Sequence, residues 1–323
     1  MKKKLQIGVV GTGSWGIALS IALSKKNNVT LFFKSKNDLE SVSKTRFSKY
    51  LPKIKISKEI AFSDDIKKLS GKDYIFLVVP SQTIRENLNV ITKANIQVKN
   101  FVLCSKGIES KSQKLLSEVI NEYFKGVNMM VLSGPNFADE VAKNLPTALV
   151  ISGKDKNKLI ELGKAINTKN FRPYFNTDVI GTQLGGAIKN VIAIACGIVH
   201  GKNLGENAKS SVLTRGLQEM IFLGSKMGAS KETFYGLSGI GDLNLSCNSL
   251  KSRNFNFGCD LSNNKPINNN LTEGRHSCSA ICSLGKKYGV EMPISNAVDD
   301  ILRGACIEES INNLLSRPLQ FEE

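Results

Sequence analysis

A glycine-rich hexapeptide, Gly11-Thr12-Gly13-Ser14-Trp15-Gly16, stands between an apolar run, Leu5–Val10, and a stretch of helical texture, Ile17–Ser24. G-x-G-x-x-G says little alone, but directly after a strand and before a helix it constrains the chain to a turn able to hold a dinucleotide pyrophosphate. Gly11 allows the tight turn, Gly13 lets the backbone approach the phosphates, and Gly16 permits close packing of helix on strand. The helix N-terminus adds free N–H groups and the positive end of its dipole.

The rest of the first half repeats this alternation. Further strands are expected at Val29–Phe33, Tyr74–Val79, Phe101–Cys104, Met129–Leu132 and Ala148–Ile151, with amphipathic helices at Ile84–Thr92, Lys111–Phe124 and Asp155–Asn167. That is the pattern of a parallel sheet covered by helices. Near residue 178 the texture changes and strand-like runs disappear. Thr182–His200 is apolar nearly all round, as a helix buried at the centre of a domain is. Asn207–Met227, Ser279–Tyr288, Ile294–Leu302 and Glu308–Leu315 read as further helices, and Ser262–Asn270 as a surface connection. A chain of 323 residues exceeds a comfortable single core. The expectation is an α/β protein: a Rossmann-type doubly wound sheet domain over residues 1–178, then a mainly α-helical substrate-binding and catalytic domain over residues 179–323.

Composition excludes several alternatives. The formal charge of +16 comes from 44 Lys and Arg against 28 Asp and Glu. The excess is mostly lysine, scattered as singles and pairs, with no Arg-rich tract or aromatic-interleaved stripe, so it reads as solvated surface and not as a nucleic-acid interface. Seven cysteines, an odd number spread along the chain, argue for reduced thiols. Cys278 and Cys282, beside His276, lack the second Cys/His pair that a tetrahedral metal site needs, so no metal is expected. The N-terminal apolar run is too short for a signal-peptide core. No run of apolar residues approaches the ~20 that a bilayer span needs, which points to a cytoplasmic protein without integral membrane association.

Several residues carry chemistry in their setting. The second strand ends Phe32-Phe33-Lys34-Ser35-Lys36, with no acid to accept from an adenosine ribose; the first acid, Asp38, falls in the next helix. A basic group there suits a 2′-phosphate, so NADP should be accepted as well as NAD, with plain surface as the alternative for Lys34. Between Asp178 and Lys202, Lys189 is the only formally charged side chain. A lysine among apolar neighbours loses hydration, and its pKa falls toward the range useful for general acid–base work, unless it snorkels to water. Arg253 and Asn254 offer charged and neutral donors side by side for an anionic substrate. Asp242, after Gly239 and Gly241, is expected on a flexible turn.

Four more stretches complete the reading: Ser105-Lys106-Gly107-Ile108-Glu109, Ser133-Gly134-Pro135-Asn136-Phe137-Ala138, Gly185-Gly186-Ala187-Ile188-Lys189-Asn190-Val191, and Gly239-Ile240-Gly241-Asp242-Leu243 with Ser252-Arg253-Asn254. Taken in order with the glycine motif, they make the chain resemble the bacterial type of glycerol-3-phosphate dehydrogenase along almost its whole length. Leu271-Thr272-Glu273-Gly274 and Val290-Glu291-Met292-Pro293-Ile294 extend the likeness. The resemblance implies NAD(P)-dependent interconversion of sn-glycerol 3-phosphate and dihydroxyacetone phosphate, a supply of phospholipid backbone. It implies that Lys189 donates and accepts the proton, that Lys106 touches nicotinamide and substrate, and that Asp242 lies beside the substrate hydroxyls. Ser252, Arg253 and Asn254 would hold the phosphate, with Gly134 and Asn136 lining the pocket. Ser14, Trp15, Lys34, Lys106, Ala138, Arg253, Leu271 and Glu273 would line the cofactor with Gly11, Gly13 and Gly16. Asn136 departs from the Ser or Thr of many relatives, and Lys34 from their Arg.

Two rivals stand beside this reading. One is a two-domain dehydrogenase of 6-phosphogluconate or a 3-hydroxyacid; Ser252-Arg253-Asn254 and the glycines before Asp242 favour the polyol phosphate. The other is a nucleotide-sensing or nucleic-acid-binding module, supported only by the basic charge and opposed by the joint presence of Lys106, Lys189 and Asp242. The expected partner is the small-molecule substrate, with no nucleic acid and with a homodimer left open.

Overall fold

The computed structural model describes residues 4–266, 271–319 and 321. Its first half alternates strand and helix: β1 (Gln6–Val10), α1 (Ser14–Ser24), β2 (Asn28–Phe32), α2 (Lys36–Thr45), β3 (Ala61–Ser63), β4 (Tyr74–Leu77), α3 (Ile84–Lys93), β5 (Asn100–Leu103), α4 (Leu116–Tyr123), β6 (Asn128–Ser133), α5 (Ala138–Ala142), β7 (Thr147–Gly153), α6 (Lys156–Ile166) and β8 (Phe171–Asn176). The strands form one sheet in the order β3-β2-β1-β4-β5-β6-β7-β8. Its central strands are apolar on both faces because both are covered. Ile7, Val9 and Phe76 pack with Ile17, Leu19 and Leu23 of α1, while Val10, Ile75 and Leu77 share the other core with Leu88, Ile91 and Val119 of α3 and α4.

Three details differ from expectation. The sheet is not wholly parallel, because β7 runs antiparallel to β6, from which only α5 and its flanking turns separate it. Two strands add to the expected six. β3 is three residues long, too short for a readable alternation. β8 contains Pro173, which an edge strand tolerates because its missing N–H faces no neighbour in the ladder. The expected helix Lys111–Phe124 begins only at Leu116, where the Glu118 carboxylate accepts from the Leu115 N–H at 2.7 Å.

The second half is helical: α7 (Val179–Gly201), α8 (Gly205–Lys226), α9 (Lys231–Phe234), α10 (Asp242–Cys247), α11 (Arg253–Ser262), α12 (Glu273–Tyr288), α13 (Pro293–Leu302) and α14 (Ile307–Leu315). The short helices α9, α10 and α11 lie in a stretch too interrupted by Gly, Ser and Asn to show a helical period. α7 has the length and apolar composition of a membrane span, yet it is wrapped by α8, α10, α11, α12 and α13 and is the core of this half. Cys278 and Cys282 of α12 are buried in that core as free thiols. Residues 263–266 of the expected surface connection are exposed; residues 267–270 lie outside the described residues.

Candidate active site

The glycine turn has the geometry its sequence demands. Gly11 sits at φ +123°, and a Cβ there would meet the Val78 carbonyl oxygen at 2.3 Å; a Cβ on Gly16 would stand 1.9 Å from the Gly11 carbonyl oxygen. A Cβ on Gly13 would meet nothing within 4 Å, so this glycine faces open space that a side chain would fill. No side chain caps α1, which leaves its first N–H groups free for an anion. These are the features a pyrophosphate requires, and Ser14 and Trp15 lie half-buried in the same turn. Beside the end of β2 is a small cleft lined by Thr12, Phe33, Asp38, Ser41, Val42, Ser48, Lys49 and Tyr50. Tyr50 and Lys49 were not singled out from sequence; they come from the loop after α2, whose return to the glycine turn is a tertiary event. Lys34 is exposed, and its ammonium is paired with Glu86 in the first turn of α3.

The catalytic candidates converge from three segments far apart in sequence. Lys106 follows β5, Lys189 lies in the middle of α7, and Asp242 opens α10. Lys106 Nζ is 2.5 Å from Asp242 Oδ2 and donates to the Gly134 carbonyl at 3.0 Å. Lys189 Nζ lies 3.1 Å from Asp242 Oδ1 and donates to Ser246 Oγ at 2.6 Å. One carboxylate is therefore shared by two ammonium groups. Asp242 is not on a flexible turn, as its glycines suggested: the turn ends at Gly241, and the aspartate is buried at the start of a helix. Ser246, one helical turn later, is a contact that sequence reasoning missed; the i, i+4 spacing shows it only once α10 is recognised.

Burial pulls the Lys189 ammonium below its ordinary pKa, and Lys106 adds repulsion; Asp242 pulls the other way without prevailing. Burial alone would raise the Asp242 carboxyl, but Lys106 and Lys189 hold it below the usual value. The arrangement can keep an anion at Asp242 while Lys189 exchanges a proton.

The phosphate candidates divide. Arg253 is the first residue of α11; it is exposed and makes no hydrogen bond or ion pair among the described residues, and its charge lies near enough to Glu273 to draw that carboxyl down. Ser252 Oγ accepts from the Phe255 N–H as the α11 cap, which leaves its hydroxyl proton to donate. Asn254 is not the free donor that its neighbour suggested. It is buried, its Nδ2 donates to Asn190 Oδ1 at 2.9 Å, its Oδ1 accepts from the Gly274 N–H at 2.9 Å, and one N–H remains. Asn136 similarly spends its Nδ2 on Thr147 Oγ1 at 2.7 Å and on the Ala148 and Pro135 carbonyls, while its buried Oδ1 has no partner. It presents an acceptor where a Ser or Thr would also present a donor. Gly134 offers its carbonyl to Lys106.

Ala138 opens α5, whose alanines pack on the core that contains α1. Glu273, first in α12, accepts from the Ser81 N–H at 3.0 Å and from Ser81 Oγ, tying the helical half to the loop after β4. Burial raises its carboxyl despite those bonds. Leu271 is half-buried just before it.

With this geometry in hand, comparison with known proteins is direct. Residues 6–159 match the family profile described as NAD-dependent glycerol-3-phosphate dehydrogenase N-terminus, and residues 178–312 match the corresponding C-terminus. Glycerol-3-phosphate dehydrogenase [NAD(P)+] of Parvibaculum lavamentivorans is 41% identical over 98% of this chain and 98% of its own length. The Zymomonas mobilis protein of the same description is 39% identical over 98% of this chain and 94% of its own. The crystal structure of glycerol-3-phosphate dehydrogenase from Coxiella burnetii superposes with a TM-score of 0.91 at 33% identity, covering 97% of this chain and 99% of that one.

Proposed function

Because the chain belongs to the NAD-dependent glycerol-3-phosphate dehydrogenase family, we propose that it interconverts sn-glycerol 3-phosphate and dihydroxyacetone phosphate with NAD(P), in the cytoplasm, as a source of phospholipid backbone. The observation that carries a mechanism is the buried Lys106–Asp242–Lys189 cluster.

A nicotinamide held at the glycine turn would supply or receive the hydride at C2 of the substrate; all else would be the work of the protein. The open face of Gly13 and the uncapped start of α1 would hold the pyrophosphate. Lys189 gives its Nζ proton to the C2 oxygen in the reductive direction and takes it back in the oxidative one. Desolvation makes that ammonium a better acid than a lysine in water. Asp242 keeps it from losing the proton prematurely and orients it together with Ser246. Lys106, held between Asp242 and Gly134, polarises the same oxygen. Arg253 and Ser252 hold the phosphate, so that C2 is presented in reacting geometry. Asn136 Oδ1 accepts from a substrate hydroxyl.

Mixing the protein with dihydroxyacetone phosphate and either NADH or NADPH, and following the reduced-nicotinamide absorbance, tests the proposal. Consumption of the reduced cofactor with the phosphate ester, with none on a 3-hydroxyacid's keto form and no formation of reduced cofactor from 6-phosphogluconate and NAD(P)+, is the expected result. The opposite preference would overturn it.

A further inference from the structure

The turn that carries the phosphate candidates is braced within itself. The Ser252 N–H donates to the Ser249 carbonyl at 3.0 Å, Asn256 Nδ2 donates to the Leu250 carbonyl at 2.5 Å, and Ser252 caps α11. On the helical side Asn254 ties it to Asn190 of α7 and to the Gly274 N–H. Its direct polar link to the sheet half, in contrast, rests on one side chain. Lys251 reaches across to the start of α5, where its Nζ is 2.6 Å from Glu140 Oε1 and 3.3 Å from Asp139 Oδ2 and sits 5.6 Å from the Phe137 ring centroid. Among the described residues, no other hydrogen bond or ion pair joins residues 248–262 to the sheet half of the chain. The segment it grips also contains Gly134, Asn136 and Ala138. Nothing in the mechanism above uses Lys251, and no motif in the sequence marked it.

We propose that Lys251 is a positioning residue: by bridging to Asp139 and Glu140 it fixes where the Ser252–Asn254 turn stands against the Gly134–Ala138 loop, and so sets the affinity for the phosphorylated substrate. This rests on the reading of Arg253 as the phosphate anchor. The physical case is one of distance across the pocket. A phosphate held by α11 and a reacting carbon held beside Lys106 and Asn136 must be a fixed distance apart, and without the bridge that distance is set only by the contacts of α11 on the helical side. The strut is half-exposed, so its effect is modest and sensitive to salt.

Lysine so close to the phosphate turn could instead act through its own charge, and the acids distinguish the two roles. If Lys251 attracts the phosphate directly, neutralising its partners with D139N/E140Q strengthens substrate binding. If Lys251 is a strut, the same change weakens binding. The experiment measures kcat and KM for dihydroxyacetone phosphate in the full-length wild type, K251M, K251R, D139N/E140Q and R253A, at low and high ionic strength. The strut requires K251M and D139N/E140Q both to raise KM, by about two- to five-fold at low salt, with kcat within two-fold of wild type. K251R, which still reaches the carboxylates, should keep the wild-type KM. The ratio of K251M to wild-type KM should fall toward one as salt rises. An unchanged or lowered KM in D139N/E140Q overturns the proposal, whatever K251M does. R253A keeps the two readings apart: a raised KM there with flat strut variants rejects the strut and leaves the anchor, while a flat R253A rejects the anchor and, with it, the strut as the device that places it.

Discussion

Replacing Asp242 by Asn tests whether the shared carboxylate sets the proton affinity of Lys189. The substitution keeps the shape, removes the charge 3.1 Å from Lys189 Nζ, and leaves Lys106 as an uncompensated cation nearby. At an effective dielectric constant of about 20, a unit pair at that spacing is worth about 5 kcal/mol. This corresponds to about 4 pKa units as an upper bound. Water entry and the amide dipole reduce it, and an opposite charge at such range ordinarily moves a pKa by about 1–3 units. Burial already holds Lys189 low, so losing Asp242 lowers it further.

The sign then follows for each direction. Reduction needs the ammonium and fades as pH rises through the Lys189 pKa, so in D242N its alkaline limb moves to lower pH by about 1–3 units. Oxidation needs the free amine, and its acid limb moves the same way. Initial rates against pH in both directions, with K189A as a reference that should lack both limbs and lose about 10²–10⁴-fold in kcat, provide the assay. A D242N enzyme with lower kcat but unmoved limbs would show that Asp242 orients substrate without tuning Lys189.

Three further outcomes follow from the contacts. K34A should raise the KM for NADPH and spare NADH, while E86Q, which frees Lys34 from its ion pair, should lower the NADPH KM; equal effects on both cofactors would make Lys34 ordinary surface. N136A leaves the Ala148 carbonyl and Thr147 hydroxyl without their donor and should lower unfolding free energy by about 1–3 kcal/mol in urea titration, so a loss under a few tenths would mean that water replaces the carboxamide. Glu219 of α8 is buried and its carboxyl pushed up to about 7, against hydrogen bonds from Ser295 and from the N–H groups of Ile294 and Ser295. Its folded value lies above the unfolded 4.5, so its stabilisation is full below that pH and lost as pH rises through about 7, by at most about 3 kcal/mol. The wild type should show that slope in urea titrations and E219Q should not; an equally steep slope in E219Q excludes Glu219 as its source.

How far the sequence could be read depends on where each residue's partners lie. The glycine turn was legible because strand, turn and helix are contiguous, and the steric reasons for Gly11 and Gly16 act within one local unit or its nearest strand. Lys189 stood out because a lone charge in an apolar helix is anomalous whatever surrounds it. Asp242 was named, but its burial and its place on α10 were hidden: six residues make too short a period to see, and the glycines before it imitate a loop. Ser246 was hidden with it. For Lys34 the charge could be read, but not Glu86, its competitor 52 residues on. Asn254 makes the physical limit plain. A carboxamide beside an arginine promises a ligand contact, yet whether its donor and acceptor are still available is settled by Asn190, 64 residues before it, and the Gly274 N–H, 20 residues after it. Local sequence identifies which groups a site can use, and the fold determines which of their hydrogen bonds are already committed; at the start of α11 it leaves Arg253 exposed and Asn254 buried with one N–H uncommitted, so the proposed hold on the substrate phosphate falls first to Arg253.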